Sequence, residues 1–162
     1  MDVAIIMGSD SDWKVMQKAI EVLKDFEVEV EVTVASAHRT PQKVHDFVKN
    51  SDAKVFIAAA GMAAHLAGVV ASFTTRPVIG VPLNSEPFQG LDALLSTVQM
   101  PPGIPVATMA VGGAKNAALF AVEILAVGDE KFAKKITSYR EKMVEEVETK
   151  SDKVQKSFLE MK

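Results

Sequence analysis

Cysteine is absent from all 162 residues, which excludes disulfides, thiolate nucleophiles and cysteine-ligated metals. Stability must then come from packing, and the composition suits a reducing cytoplasm, the expected location. An excess of either charge is also lacking. Lys and Arg number 18 against 21 Asp and Glu, a net charge of −3, so no basic face is offered to nucleic acid. The G-x-G-x-x-G fingerprint and the P-loop are both missing, which argues against NAD and ATP. The opening stretch MDVAIIMGSD has no basic segment before its short apolar run, so no export signal is expected. Long uncharged runs are scarce too. Residues 55–75 hold no Asp, Glu, Lys or Arg and approach the roughly 20 residues of a spanning helix. That run is rich in Ala and Gly, is broken by Gly61 and His65, and changes from strand to helix character, so it reads as buried protein and not as a membrane segment.

What is present is an alternation. Apolar residues make up 48% of the chain, enough for one domain with a sizeable core. Residues 1–162 are expected to form that single domain: an α/β core over 1–128 and a helical extension over 129–162. VAIIM (3–7) is a short apolar run ended by GSDSD. Residues 13–26 then repeat apolar positions at helical spacing, with Val15, Met16, Ala19, Ile20 and Leu23 on one face. The unit recurs: a strand over 28–35 before a helix with Thr40 as cap and Pro41 at its first position; a strand over 54–60 before a helix from about Met62 to Ser72; a strand over 77–82 before a helix from about Gly90 to Val98; a strand over 105–111 before a helix over 114–127. Five such units imply an open parallel sheet with helices on both faces. Residues 129–162 are half charged, yet Phe132, Ile136, Tyr139, Met143 and Val147 form a narrow apolar stripe, the pattern of a long helix that needs a partner surface.

Ligands of such sheets bind beyond the carboxyl ends of the strands, which draws attention to loops 8–12, 36–40, 61–65, 83–90 and 100–103 with 112–114. GSDSD follows a strand and opens a helix, so its N–H groups make an anion site; Gly8 permits close approach, and Ser9 and Ser11 offer hydroxyls. Asp12 would repel phosphate and suits sugar hydroxyls, while Asp10 faces solvent. Simple helix capping by Ser9 to Asp12 explains the same residues equally well. In SAHRTP, Arg39 suits bidentate phosphate binding and His38 can exchange a proton near neutral pH. In AAGMAAHLAG, small residues around Met62 and His65 leave room for a planar ligand. Two of only three histidines thus fall on adjacent ligand-facing loops, and the third, His45, reads as surface. No acidic residue within 55–75 could complete a histidine metal site, so no metal is expected. The content of LNSEPFQG (83–90) makes it a candidate lid. These features alone leave open a phosphosugar isomerase or a non-catalytic binding module.

Taken together, MGSDSDW, SAHRTP, AAGMAAHLAG, PVIGVP, GLDALLSTVQMPPGIPVATMAV and KNAALFAVEIL resemble successive blocks of the class I N5-carboxyaminoimidazole ribonucleotide mutases of purine biosynthesis, across residues 3–127. The resemblance implies a flavodoxin-like three-layer α/β/α sandwich with a five-stranded parallel sheet and a long C-terminal helix. It also implies a homo-octamer, a small nucleotide substrate, no cofactor, and migration of a carboxylate from the exocyclic amine to C4 of an imidazole by CO2 release and recapture. By position, Ser9, Asp12 and Arg39 match nucleotide-binding residues, with Arg39 on phosphate and Asp12 on ribose. His38 matches the general acid/base, and Gly61 and His65 match the loop lining the base and CO2 pocket, with His65 the second catalytic candidate. Gly8, Ser11, Ser36, Met62, Ala63 and Leu66 complete the expected substrate contacts. The CO2 would be held by the alanines, Met62 and the uncharged segment 93–114. The related carboxylase that uses CO2 directly resembles the chain less, since it typically has Lys after the first histidine and GRSN where GMAAH stands here. Met62 replaces a second glycine common in the family, and Ala67 a common proline.

Overall fold

The computed structural model describes residues 1–161. Its strands are β1 (Val3–Met7), β2 (Val30–Val34), β3 (Val55–Ala60), β4 (Val78–Pro82) and β5 (Ala107–Thr108). They form one parallel sheet in the order β2-β1-β3-β4-β5. The helices are α1 (Trp13–Asp25), α2 (Pro41–Asn50), α3 (Leu66–Ser72), α4 (Leu91–Val98), α5 (Ala114–Ala126) and α6 (Glu130–Glu160).

Central strands β1, β3 and β4 are almost continuously apolar because both of their faces are covered. The two-residue period then sorts their side chains into two cores. Ile5, Met7, Ile57 and Val81 pack with Met16 and Leu23 of α1 and with Ala117, Ala121 and Val122 of α5. On the opposite face, Ala4, Ile6, Phe56 and Ala58 meet Val44 and Val48 of α2 and Leu66 and Val70 of α3. This is the expected three-layer sandwich, and its chain order reverses between β1 and β3. The loops after those strands therefore flank a crevice.

Two boundaries and one cap differ from the sequence reading. The third helix begins at Leu66 and not near Met62, because residues 61–65 form an irregular loop in which Met62 takes a left-handed φ of 55°. The strand expected over 105–111 is reduced to Ala107–Thr108: Pro105 has no N–H to give a ladder, and beyond Thr108 the chain turns through Gly112 (φ 71°). Thr40 does stand at the N-cap of α2, but its side chain makes no capping bond. Its hydroxyl turns back to close the preceding loop, accepting from the Ser36 N–H at 2.9 Å. The helical extension runs from Glu130 to Glu160, and the expected last residue, Lys162, lies outside the described residues.

Candidate active site

Each functional loop is built from short-range hydrogen bonds at a strand's end. After β1, Ser9 begins a short helical turn over Asp10–Asp12 that runs into α1. The Ser9 hydroxyl accepts from the Ser11 N–H at 3.4 Å, and Asp12 Oδ2 accepts from the Ser9 N–H at 3.0 Å, a reciprocal capping arrangement. Capping and ligand presentation are thus done by the same residues. Asp12 is buried, Asp10 exposed. Burial pushes the Asp12 carboxyl above the ordinary Asp range, against the pull of hydrogen bonds from Ser9, Ser11 and the Gly8 backbone; nearby Asp10 adds to the rise.

After β2, the Ser36 hydroxyl accepts from the Arg39 N–H at 3.2 Å and the Thr40 N–H donates to the Ser36 carbonyl at 2.9 Å. This tight loop throws His38 and Arg39 toward β1. The Arg39 guanidinium donates to the Gly8 carbonyl at 2.9 Å, which sets a cation against the turn after β1 and leaves its remaining N–H groups available. After β3, the loop carrying Gly61 and Met62 brings His65 to the start of α3. There His65 Nδ1 lies 3.0 Å from His38 Nε2, the two rings edge to face with centroids 5.1 Å apart. Either ring can donate in this contact, depending on tautomer, and the facing nitrogens share one proton.

These parts line a cleft of about 470 Å³ walled by Gly8, Ser9, Ser11, Asp12, Ser36, His38, Arg39, Gly61 and Met62, together with Leu83, Asn84 and Ser85. Most of the residues expected from sequence are thereby brought together. His65 joins through its contact with His38. Ala63 is exposed but outside the lining, and the Leu66 side chain is buried in the core beneath α3. Segment 93–114 does not line the cleft either; it supports the site from behind. His45 lies on α2, outside the cleft, with Nδ1 3.0 Å from Asp46 Oδ1 and its ring edge on Phe73. Among the described residues, no three His, Asp or Glu side chains converge as metal ligands, and no helix is long and apolar enough to cross a membrane.

Sequence reasoning flagged the loop 83–90 but not its individual site residues. Leu83, Asn84 and Ser85 follow β4, one strand beyond the crevice, and the Ser85 hydroxyl accepts from the Met62 N–H at 3.1 Å. The available signal was a polar Asn-Ser pair directly after an apolar strand. A carboxyl-end cleft that gathers a cation, serine hydroxyls, a buried carboxylate and, at its edge, a histidine pair has the lining of a small-molecule site.

Comparison with known proteins agrees with that class. The family model of AIR carboxylase matches residues 2–146, and the chain belongs to this family. The N5-carboxyaminoimidazole ribonucleotide mutase of Methanocaldococcus jannaschii is 60% identical over 156 residues, covering 96% of this chain and 99% of that protein. The Pyrococcus abyssi protein of the same name is 56% identical over 144 residues, 87% of this chain and 83% of its own length. Among solved structures, Treponema denticola PurE superposes with a TM-score of 0.86 at 34% identity, covering 93% of this chain and 96% of that one.

Proposed function

We propose that the chain is an isomerase that converts N5-carboxyaminoimidazole ribonucleotide to 4-carboxyaminoimidazole ribonucleotide in purine biosynthesis, the activity named for its relatives. The observation that carries the reading is the 3.0 Å contact between His38 and His65 at the edge of a cleft that also holds Arg39, Ser9 and Asp12. In this reaction the bond from the exocyclic nitrogen to the carboxylate breaks and releases CO2, and C4 of the imidazole then attacks that CO2. The proton on C4 must leave and one must return to the exocyclic nitrogen, so the net change is an isomerisation with no oxidant, reductant or nucleotide triphosphate.

The residues divide that work by position. Arg39 and the Ser9 and Ser11 hydroxyls hold the phosphate at the first turn, and Asp12 accepts from the ribose hydroxyls. His38, lining the cleft, exchanges the proton, and His65 behind it orients or relays through the shared hydrogen bond. Gly61, Met62 and Ser36 shape the wall near the base. Direct carboxylation by CO2 is the second reading. Arg39 after His38, and His65 in place of the carboxylase pattern, favour the mutase.

The enzyme is further proposed to work in the cytoplasm as a homo-octamer. Met62 and Phe88 beside the cleft, and Leu91, Leu95 and Val98 on the outer face of α4, are exposed apolar groups that a neighbouring copy would cover. The direct experiment offers the purified protein N5-carboxyaminoimidazole ribonucleotide, and separately aminoimidazole ribonucleotide with limiting bicarbonate. Conversion of the first alone supports the mutase; turnover that depends on high bicarbonate assigns the direct carboxylase.

A further inference from the structure

The loop that presents His65 has no regular pairing of its own, yet its N–H groups at Met62 and Ala64 are held by hydroxyls from other elements. Ser85 accepts from the Met62 N–H. The Thr97 hydroxyl lies 2.7 Å from the Ala93 carbonyl and 3.3 Å from the Ala64 carbonyl. Ser96 Oγ lies 2.9 Å from the Ala64 nitrogen, 2.6 Å from the Asp92 carbonyl and 3.4 Å from the Met62 carbonyl. A serine has one proton to give. The shortest contact assigns that proton to Asp92, one helical turn back, which leaves a lone pair aimed at the Ala64 N–H.

Ala64 is buried, so without Ser96 its N–H would face a desolvated space with no acceptor. His65 follows directly. Its N–H donates to the Ala63 carbonyl at 2.8 Å and its carbonyl receives the Val69 N–H at 3.0 Å, while its exposed ring meets the His38 side chain. The direction of the imidazole is therefore set by the peptide before it. Adjacent Ser and Thr inside an eight-residue helix have no propensity reason to be there, since both compete with the helix's own bonds.

We propose that Ser96 is a positioning residue: it anchors the Ala64 peptide so that His65 Nδ1 stays within hydrogen-bonding distance of His38 Nε2. This rests on the proposed mutase reading for its kinetic consequence, but not for its geometric one. The test compares Ser96→Ala, and the isosteric pair Ser96→Thr and Ser96→Val, in the full chain. Circular dichroism checks the fold, and nitrogen NMR of 15N-histidine reports the shared proton. Steady-state kinetics with N5-carboxyaminoimidazole ribonucleotide follow across pH. Ser96→Ala and Ser96→Val are expected to stay folded, lose the hydrogen-bonded histidine signature and reshape the pH profile. Their kcat should fall on the order of 10- to 100-fold, the scale of a misplaced catalytic group, with KM nearly unchanged. Ser96→Thr should restore most of both signals. An intact histidine signature in Ser96→Ala would overturn the proposal, and so would equal losses in the Thr and Val variants or failure of Ser96→Ala to fold. Failure of the wild type to convert the nucleotide would instead strike the functional reading, while the NMR comparison still decides the role of Ser96.

Discussion

His38 and Arg39 are neighbours given different tasks. Arg39 bonds the Gly8 carbonyl, and in the proposed mechanism it contacts the phosphate in ground and transition states alike. Arg39→Ala should weaken substrate binding by about 2 kcal/mol, the scale of a hydrogen bond to a charged group. His38→Asn keeps a hydrogen-bonding side chain but no proton carrier, so turnover should fall by roughly 100-fold or more with little change in affinity. Calorimetry for binding and absorbance for turnover separate the two; a His38→Asn variant with near-normal turnover would return the acid/base role to His65. Asp12 carries a second prediction. Its carboxyl is raised above the ordinary value of 3.8 by burial, so the folded state holds its proton more tightly than the unfolded state. The stability that comes from this protonation is present at low pH and is lost as pH rises through the folded value. Asp12→Asn lacks that loss and can still accept from the Ser9 N–H. Its stability relative to wild type should therefore rise with pH across the acid range, by denaturant titration, even as substrate affinity falls. A relative stability that declines over that range would contradict the assignment.

At the scale of elements, the sheet and its helices were legible because apolar runs and helical periods are local signals. Each strand and helix was placed, and the residues at the carboxyl ends of β1, β2 and β3 followed from topology. What failed was local in sequence but tertiary in cause. No pattern distinguishes loop 61–65 from the start of a helix, because hydroxyls of Ser85 and Ser96 satisfy its N–H groups from outside. Ser96 could not be chosen from sequence for the same reason. The family's second glycine where Met62 stands was, by contrast, a usable hint, since φ at that position is 55°, a conformation glycine adopts without strain. Gly80 shows how close α4 must come. A Cβ there would lie 2.4 Å from Thr97 Cγ2 and 3.0 Å from Val106 Cγ1, so Gly80→Ala should push α4 away from β4. Overpacking of this kind costs about 1–3 kcal/mol. Thermal unfolding should show that loss, with a lower kcat because Thr97 and Ser96 move with the helix; unchanged stability would mean that the helix shifts freely.

For the whole molecule, the apolar stripe on α6 divides into two halves. Phe132 is buried, and Ile136 and Tyr139 pack against the core, where the Tyr139 ring lies 5.6 Å from that of Phe26. Met143 and Val147 farther along are 50% and 65% exposed, and Val154 is 69% exposed. The first half of the stripe thus folds back on its own chain and the second does not, an outcome that spacing alone could not divide. A long helix with an exposed apolar edge calls for a partner, and light scattering at micromolar concentration should report an oligomer. Replacing Val147 and Val154 together by Lys should shift it toward smaller species, whereas a wild-type monomer would remove the octamer from the proposal. The central claim is the reaction itself. Its most direct measurement supplies N5-carboxyaminoimidazole ribonucleotide labelled with 13C in its carboxylate, in chelator and without ATP or added bicarbonate, and follows the label by NMR. Label arriving on C4 of the imidazole, and largely failing to do so in His38→Asn, is the expected result; release of the label with no C4 product, or a requirement for ATP or a divalent ion, would contradict it.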